Sequence, residues 1–136
     1  MILALVIGMG CSKKKVTEEA TGQSDGDFRT VHFDFDKYDI RGDARSILTE
    51  NAEYLKKNPK MEAQVEGHCD ERGSTEYNLA LGQRRANATK AYLVNLGVES
   101  SRVSTVSYGE ERPVDAGHDE PAWDKNRRAE FRITSK

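Results

Sequence analysis

Residues Gly67–Ala86, GHCDERGSTEYNLALGQRRA, carry the chain from one structural period into another. Just before and into this stretch, Glu62–His68 (EAQVEGH) alternates Ala63, Val65 and Gly67 with charged or polar residues. That is the pattern of a half-buried strand. Gly73-Ser74 then opens a long helix to about Leu96, with Gly97 placed as its C-terminal stop. Ser74 or Thr75 can cap it. At about 100° per residue, Leu81, Gly82, Ala86, Thr89, Tyr92, Leu93 and Leu96 share one arc. Gln83, Asn87 and Lys90 lie opposite. Gly82 and Thr89 fall near the middle of the arc, where small side chains let the helix approach its sheet closely.

Arg85 lies inside that apolar arc, near the first turns of the helix, and Asp70 leaves the end of the preceding strand. An arginine is almost never buried without a partner. Two readings follow. Asp70 and Arg85 pair with each other as a structural ion pair, or together they receive a group that carries both an ammonium and a carboxylate. The free N–H groups and positive dipole end of the helix N-terminus suit an anionic ligand group. The second reading points to binding rather than catalysis.

Outward from this centre, Arg29–Phe35 (RTVHFDF) alternates as a strand, and Asp36–Asp43 forms a polar turn. Ala44–Asn58 has Ile47, Leu48, Ala52 and Leu55 at helical spacing, and Asn58-Pro59 stops it. Arg102–Tyr108 and Arg128–Thr134 read as two further strands, separated by a loop over Gly109–Lys125. The order is βαβαββ. Helices that join successive strands imply crossovers, which predicts an α/β two-layer sandwich with both helices packed on one mixed sheet.

The 136 residues suffice for one domain with a real core. A formal charge of -2 provides no basic field, so nucleic acid is not an expected partner. Met1–Gly10 (MILALVIGMG) is far shorter than the roughly 20 apolar residues a membrane span needs. It reads as the end of a signal peptide, and Cys11 directly after it suggests a lipidated first residue. Residues 11–27, with Val16 as their one strong apolar residue, read as a flexible lipidated tether, and the folded domain is expected over 28–136.

Four ordered segments resemble the OmpA-like C-terminal domain family of peptidoglycan-binding modules. They are FDFDKYDI (Phe33–Ile40), GHCDERGSTEYNLALGQRRANA (Gly67–Ala88), VSYGEERP (Val106–Pro113) and GHDEPAWDKNRRAEF (Gly117–Phe131). The resemblance covers roughly Phe28–Ile133 and implies a domain that grips the diaminopimelate of the peptidoglycan stem peptide. By motif position Arg85 holds the ligand carboxylate and Asp70 accepts from its ammonium. Asp36 and Tyr38 match the first loop of the same pocket, and Asn78 and Leu81 match the helix start beside it. The resemblance also implies an outer-membrane lipoprotein anchored through Cys11 on the periplasmic side, with TolB and other Tol proteins as partners. Cys69 departs from the small residue usual at its position, and packing accounts for it.

Of three rivals, two differ in class and one stays within the fold. A metalloenzyme would draw on His68, Cys69, Asp70 and the His118-Asp119-Glu120 run, but neighbours on a strand point to opposite faces, and no C-x-x-C or H-E-x-x-H occurs. A cell-wall hydrolase would need a nucleophile with an oriented base, a metal, or two carboxylates of split pKa, and no G-x-S-x-G is present. The third is a wall-binding lipoprotein of the same fold outside the Tol system. No catalytic residue, metal or cofactor is expected.

Overall fold

The computed structural model describes residues 23–136. The signal peptide, Cys11 and most of the expected tether lie outside the described residues. The elements are β1 (Val31–His32), α1 (Gly42–Lys57), β2 (Glu62–His68), α2 (Thr75–Asn95), β3 (Val103–Gly109), α3 (Glu120–Asn126) and β4 (Arg128–Ser135), with a 3-10 turn at Ser100–Arg102. The sheet order is β1-β4-β2-β3. β4 runs antiparallel to both β1 and β2, and β3 lies parallel to β2. The mixed two-layer α/β architecture is therefore the one the alternation and crossovers predict.

Alternation sets the inner face. Ala63, Val65, Ala129 and Phe131 are buried on paired strands, with Val65 opposite Phe131. They meet Leu48 and Leu55 of α1 and Ala86 and Leu93 of α2 in one core. Phe28 stacks on Phe131 at 5.0 Å between centroids and meets the edge of Tyr54 at 4.8 Å. The buried set of α2 includes Leu81, Gly82, Arg85, Ala86, Thr89 and Leu93, the arc read from its periodicity. Ser74 caps it by accepting from the Tyr77 amide, and Gly97 ends it with φ of 101°, the left-handed region glycine adopts freely.

Three expectations need correction. β1 holds two residues rather than the run Arg29–Phe35. The Asn51 side chain takes both the amide and the carbonyl of Arg29, which removes them from a strand ladder. The expected loop Gly109–Lys125 contains most of α3, which starts where the Asp119 side chain accepts from the Ala122 amide and Pro121 occupies the first turn. The folded unit also begins before Phe28. The Asp25 amide donates to the Phe131 carbonyl, and the Ser24 hydroxyl accepts from the Phe131 amide. Backbone that far upstream is fixed along β4 because polar groups at this sheet margin need partners.

Candidate functional site

The parallel pairing of β2 with β3 requires the chain to return over α2, so the C-terminal end of β2 and the N-terminal turn of α2 meet at one edge. A cavity of about 260 Å³ opens there. Asp36, Asp70, Asn78, Leu81 and Arg85 line it, five of the six side chains expected from the sequence. Tyr38 does not line it and stands exposed on the first loop. Phe35, Arg72 and Tyr77, with Cys69 and Gly73, complete the walls and were not among the expected site residues. A larger hollow of about 500 Å³, bounded by Thr30, His32, Lys125 and Arg128 among others, contains none of the expected residues.

Arg85 is 1% exposed. Its Nε donates to the Lys37 carbonyl at 2.8 Å, Nη1 to the His68 carbonyl at 2.9 Å and Nη2 to the Asp34 carbonyl at 3.1 Å. Among the described residues no carboxylate forms an ion pair with it. The direct Asp70–Arg85 pair, one of the two sequence readings, is not formed. Burial draws the Arg85 pKa down, but an arginine starts so high that it stays charged. Among the described residues the hydrogen-bond acceptors of this buried guanidinium are thus neutral main-chain oxygens, with the Phe33 ring centroid 5.2 Å away, and it faces the cavity.

Asp70, 4% exposed, is paired elsewhere. Its carboxylate accepts from Arg72 Nη2 at 3.0 Å and Arg127 Nη1 at 3.4 Å, and from the Arg72 amide at 2.9 Å. Burial works to raise the Asp70 pKa, but the Arg72 and Arg127 bonds outweigh it and hold the carboxyl below its ordinary value. A depressed carboxyl pKa contributes stability that is present above the unfolded value, about pH 3.9, and lost as pH falls through the folded one. The urea midpoint is therefore expected to decline below about pH 4. Asp70→Asn should flatten that part of the profile, and an unchanged profile would show that the Asp70 pairs do not stabilise the fold.

The remaining residues hold the walls. Asp36 takes φ of 59°, a left-handed conformation that aspartate tolerates, and accepts from the Tyr77 hydroxyl. The Asn78 amide nitrogen donates to the carbonyls of Asp70 and Arg72 and to Glu110, so it ties the turn after β2 onto α2. The Cys69 thiol lines the cavity and donates to the Asn78 carbonyl at 3.2 Å. Burial pushes its pKa up to about 11, so it acts as a small hydrophobe.

Arg127 was not assigned a role from the sequence. It caps the C-terminus of α3 immediately before β4, donates to the Phe33 carbonyl, and also pairs with Glu120 and Asp124 on α3. The polar run Asn126-Arg127-Arg128 leading into an alternating strand was the available sequence signal, and the structure buries all three.

His68 and Cys69 point to opposite faces, as neighbours on a strand do. Glu66, His68 and Glu130 cluster on the face away from the cavity, with ligand atoms close enough for one cation. Arg132 bonds both carboxylates and Arg128 bonds Glu130. These guanidiniums already supply the positive charge a metal would bring.

The cavity side chains carry two acids, Asp36 and Asp70, against two arginines, Arg72 and Arg85. The cleft is therefore charge-balanced and partly apolar, with a buried cation facing it, as small-molecule sites combine apolar walls with a few placed polar groups. Residues 32–127 match the OmpA family, and the chain belongs to that family. It is 48% identical over 136 residues to the peptidoglycan-associated lipoprotein of Pasteurella multocida, with 93% of this chain and 89% of that protein covered. It is 56% identical over 102 residues to the Haemophilus influenzae protein of the same name, covering 75% of this chain and 67% of that one. The crystal structure of the peptidoglycan-associated lipoprotein from Burkholderia pseudomallei superposes with a TM-score of 0.74 at 44% identity, over 79% of this chain and 90% of the other.

Proposed function

We propose that this chain is a non-enzymatic anchor that grips peptidoglycan through the diaminopimelate of its stem peptide. One observation carries the reading: Arg85 is buried, faces a cavity and has no carboxylate partner among the described residues. A guanidinium in that setting gains more from a ligand carboxylate than one already paired. Asp70 and Asp36 stand on the same cavity to receive an ammonium. The side-chain end of diaminopimelate carries both groups on one carbon. The relatives' names, which state association with peptidoglycan, agree with this chemistry.

In the same proposal, Cys11 is lipidated in the outer membrane, the segment after it spans the gap, and the domain holds the wall reversibly. Many copies acting together supply strength. TolB and other Tol proteins are the proposed partners. Co-purification of TolB with the chain is expected, and its absence would favour a wall-binding lipoprotein outside the Tol system.

The binding step is tested by calorimetric titration of the full chain with a diaminopimelate stem peptide and with the same peptide carrying lysine. Saturable binding of the first is expected, with the second weaker by roughly a hundredfold because it lacks the carboxylate for Arg85. Asp70→Asn should weaken the first peptide to a similar level. Equal affinity for the two peptides, or none in a chain shown to be folded, would overturn the assignment.

A further inference from the structure

The aromatic clasp around Arg72 sits at the cavity beside Arg85 and is not needed to hold one zwitterionic group. The Arg72 guanidinium lies between the Phe35 ring, 3.8 Å from its centroid, and the Trp123 ring, 4.0 Å from its centroid. Trp123 is itself fixed, because its indole N–H donates to Glu71 at 2.9 Å and Glu71 also bonds His118. A guanidinium stacked on both faces keeps its plane and keeps its edge for hydrogen bonds. Nε and Nη2 spend that edge on Asp70. Asp70 is therefore shared between Arg72 and the buried Arg127, while Arg127 has Glu120 and Asp124 as further counter-charges. The only other acid within salt-bridge range of Arg72 among the described residues is Glu120, at 3.9 Å.

The charge balance changes when a ligand arrives. An ammonium that approaches Asp70 competes with Arg72 for the same carboxylate. The stacking holds Arg72 in place, so it is left short of negative charge beside a newly bound cation. A second carboxylate on the ligand restores the balance. We propose that Arg72, clasped between Phe35 and Trp123, binds a second ligand carboxylate, distinct from the one taken by Arg85, and makes the pocket prefer a stem peptide with two free carboxylates. This inference rests on the peptide-binding reading above.

The test pairs two probes with two forms of the full chain. The probes are L-alanyl-γ-D-glutamyl-diaminopimelate with the main-chain carboxyl of its diaminopimelate blocked as an amide, which leaves free only the glutamyl α-carboxylate and the side-chain carboxylate meant for Arg85, and the same peptide with the glutamyl α-carboxylate amidated as well. The wild-type chain is expected to bind the free acid roughly tenfold more tightly, the scale of one charge-assisted hydrogen-bonded pair. In Arg72→Gln the ratio of the two affinities should fall to about one, whatever happens to the affinities themselves, since the ratio isolates the coupling. Trp123→Leu, which keeps the arginine but removes one stacking face, should reduce the ratio partway. Equal affinities in the wild type, or a ratio that survives Arg72→Gln, would overturn the role of Arg72 and leave the diaminopimelate reading standing. Binding of neither probe by a folded wild-type chain would overturn both.

Discussion

Arg85→Leu is expected to cost about 3 kcal/mol of stability and to abolish binding of the diaminopimelate peptide. The side chain serves as a three-way tie. It joins α2 to the loop after β1, through the carbonyls of Asp34 and Lys37, and to the end of β2, through the carbonyl of His68. Leucine leaves these oxygens without their donor, at about 1–3 kcal/mol for each that stays dry. Relief of the buried charge offsets part of that loss. The first loop also carries Asp36 and Phe35 to the cavity, so its release opens the site as well as weakening the fold. Arg85→Lys separates the two effects. It keeps the charge, but a single ammonium on a flexible stem cannot reproduce a planar fork shared among three carbonyls and a ligand. The lysine variant should fold with an intermediate urea midpoint and bind roughly a hundredfold more weakly. A leucine variant with wild-type stability and affinity would remove Arg85 from the site.

What the sequence made legible divides along physical lines. The long helix could be read because its period is sustained for five turns, and the buried side of α2 is the arc on which Arg85 was placed. β2 is Glu62–His68 in both readings because an alternating run is bounded there by a proline turn and by Gly73. α3 escaped because seven residues with one buried alanine generate no period, and only the Asp119 and Pro121 pair marked it. The site shows the same division. Asp70 and Arg85 lie close in sequence, so strand-to-helix spacing placed both at one edge, whereas Asn78 and Leu81 entered only through the family resemblance. Arg127 reaches Asp70 from 57 positions away, and Trp123 reaches Arg72 from a helix that was not anticipated. The partners of Arg85 were hidden for another reason. They are main-chain carbonyls, and no residue identity announces which carbonyl oxygen will face a guanidinium.

Gly67→Ala is expected to be the most damaging single methyl group in the domain, at about 3 kcal/mol or more. The two residues on whose small size the close packing depends face each other. A Cβ on Gly67 would overlap the Gly82 carbonyl oxygen and come within 2.6 Å of its carbon. Both atoms belong to the backbone, so no rotamer change relieves the clash, and α2 must lift from β2. Arg85 sits three residues beyond Gly82 on the same face, so the displacement carries the buried guanidinium away from its carbonyls and deforms the cavity. For a domain of this size the melting temperature should fall by about 10 °C or more. Gly82→Ala is expected to be milder. Its closest clash is with the Ser107 hydroxyl, which can rotate, although the Gly67 carbonyl at 2.9 Å cannot. Gly42→Ala is the control, because a Cβ there meets nothing within 4 Å and the helix start gains propensity. It should melt at or slightly above the wild-type temperature. If Gly67→Ala melts with that control, the helix does not rest on the sheet at this crossing. The placement of Arg85 would then need another cause, because the same contact that makes Gly67 intolerant of a methyl group seats the guanidinium at the edge of the cleft.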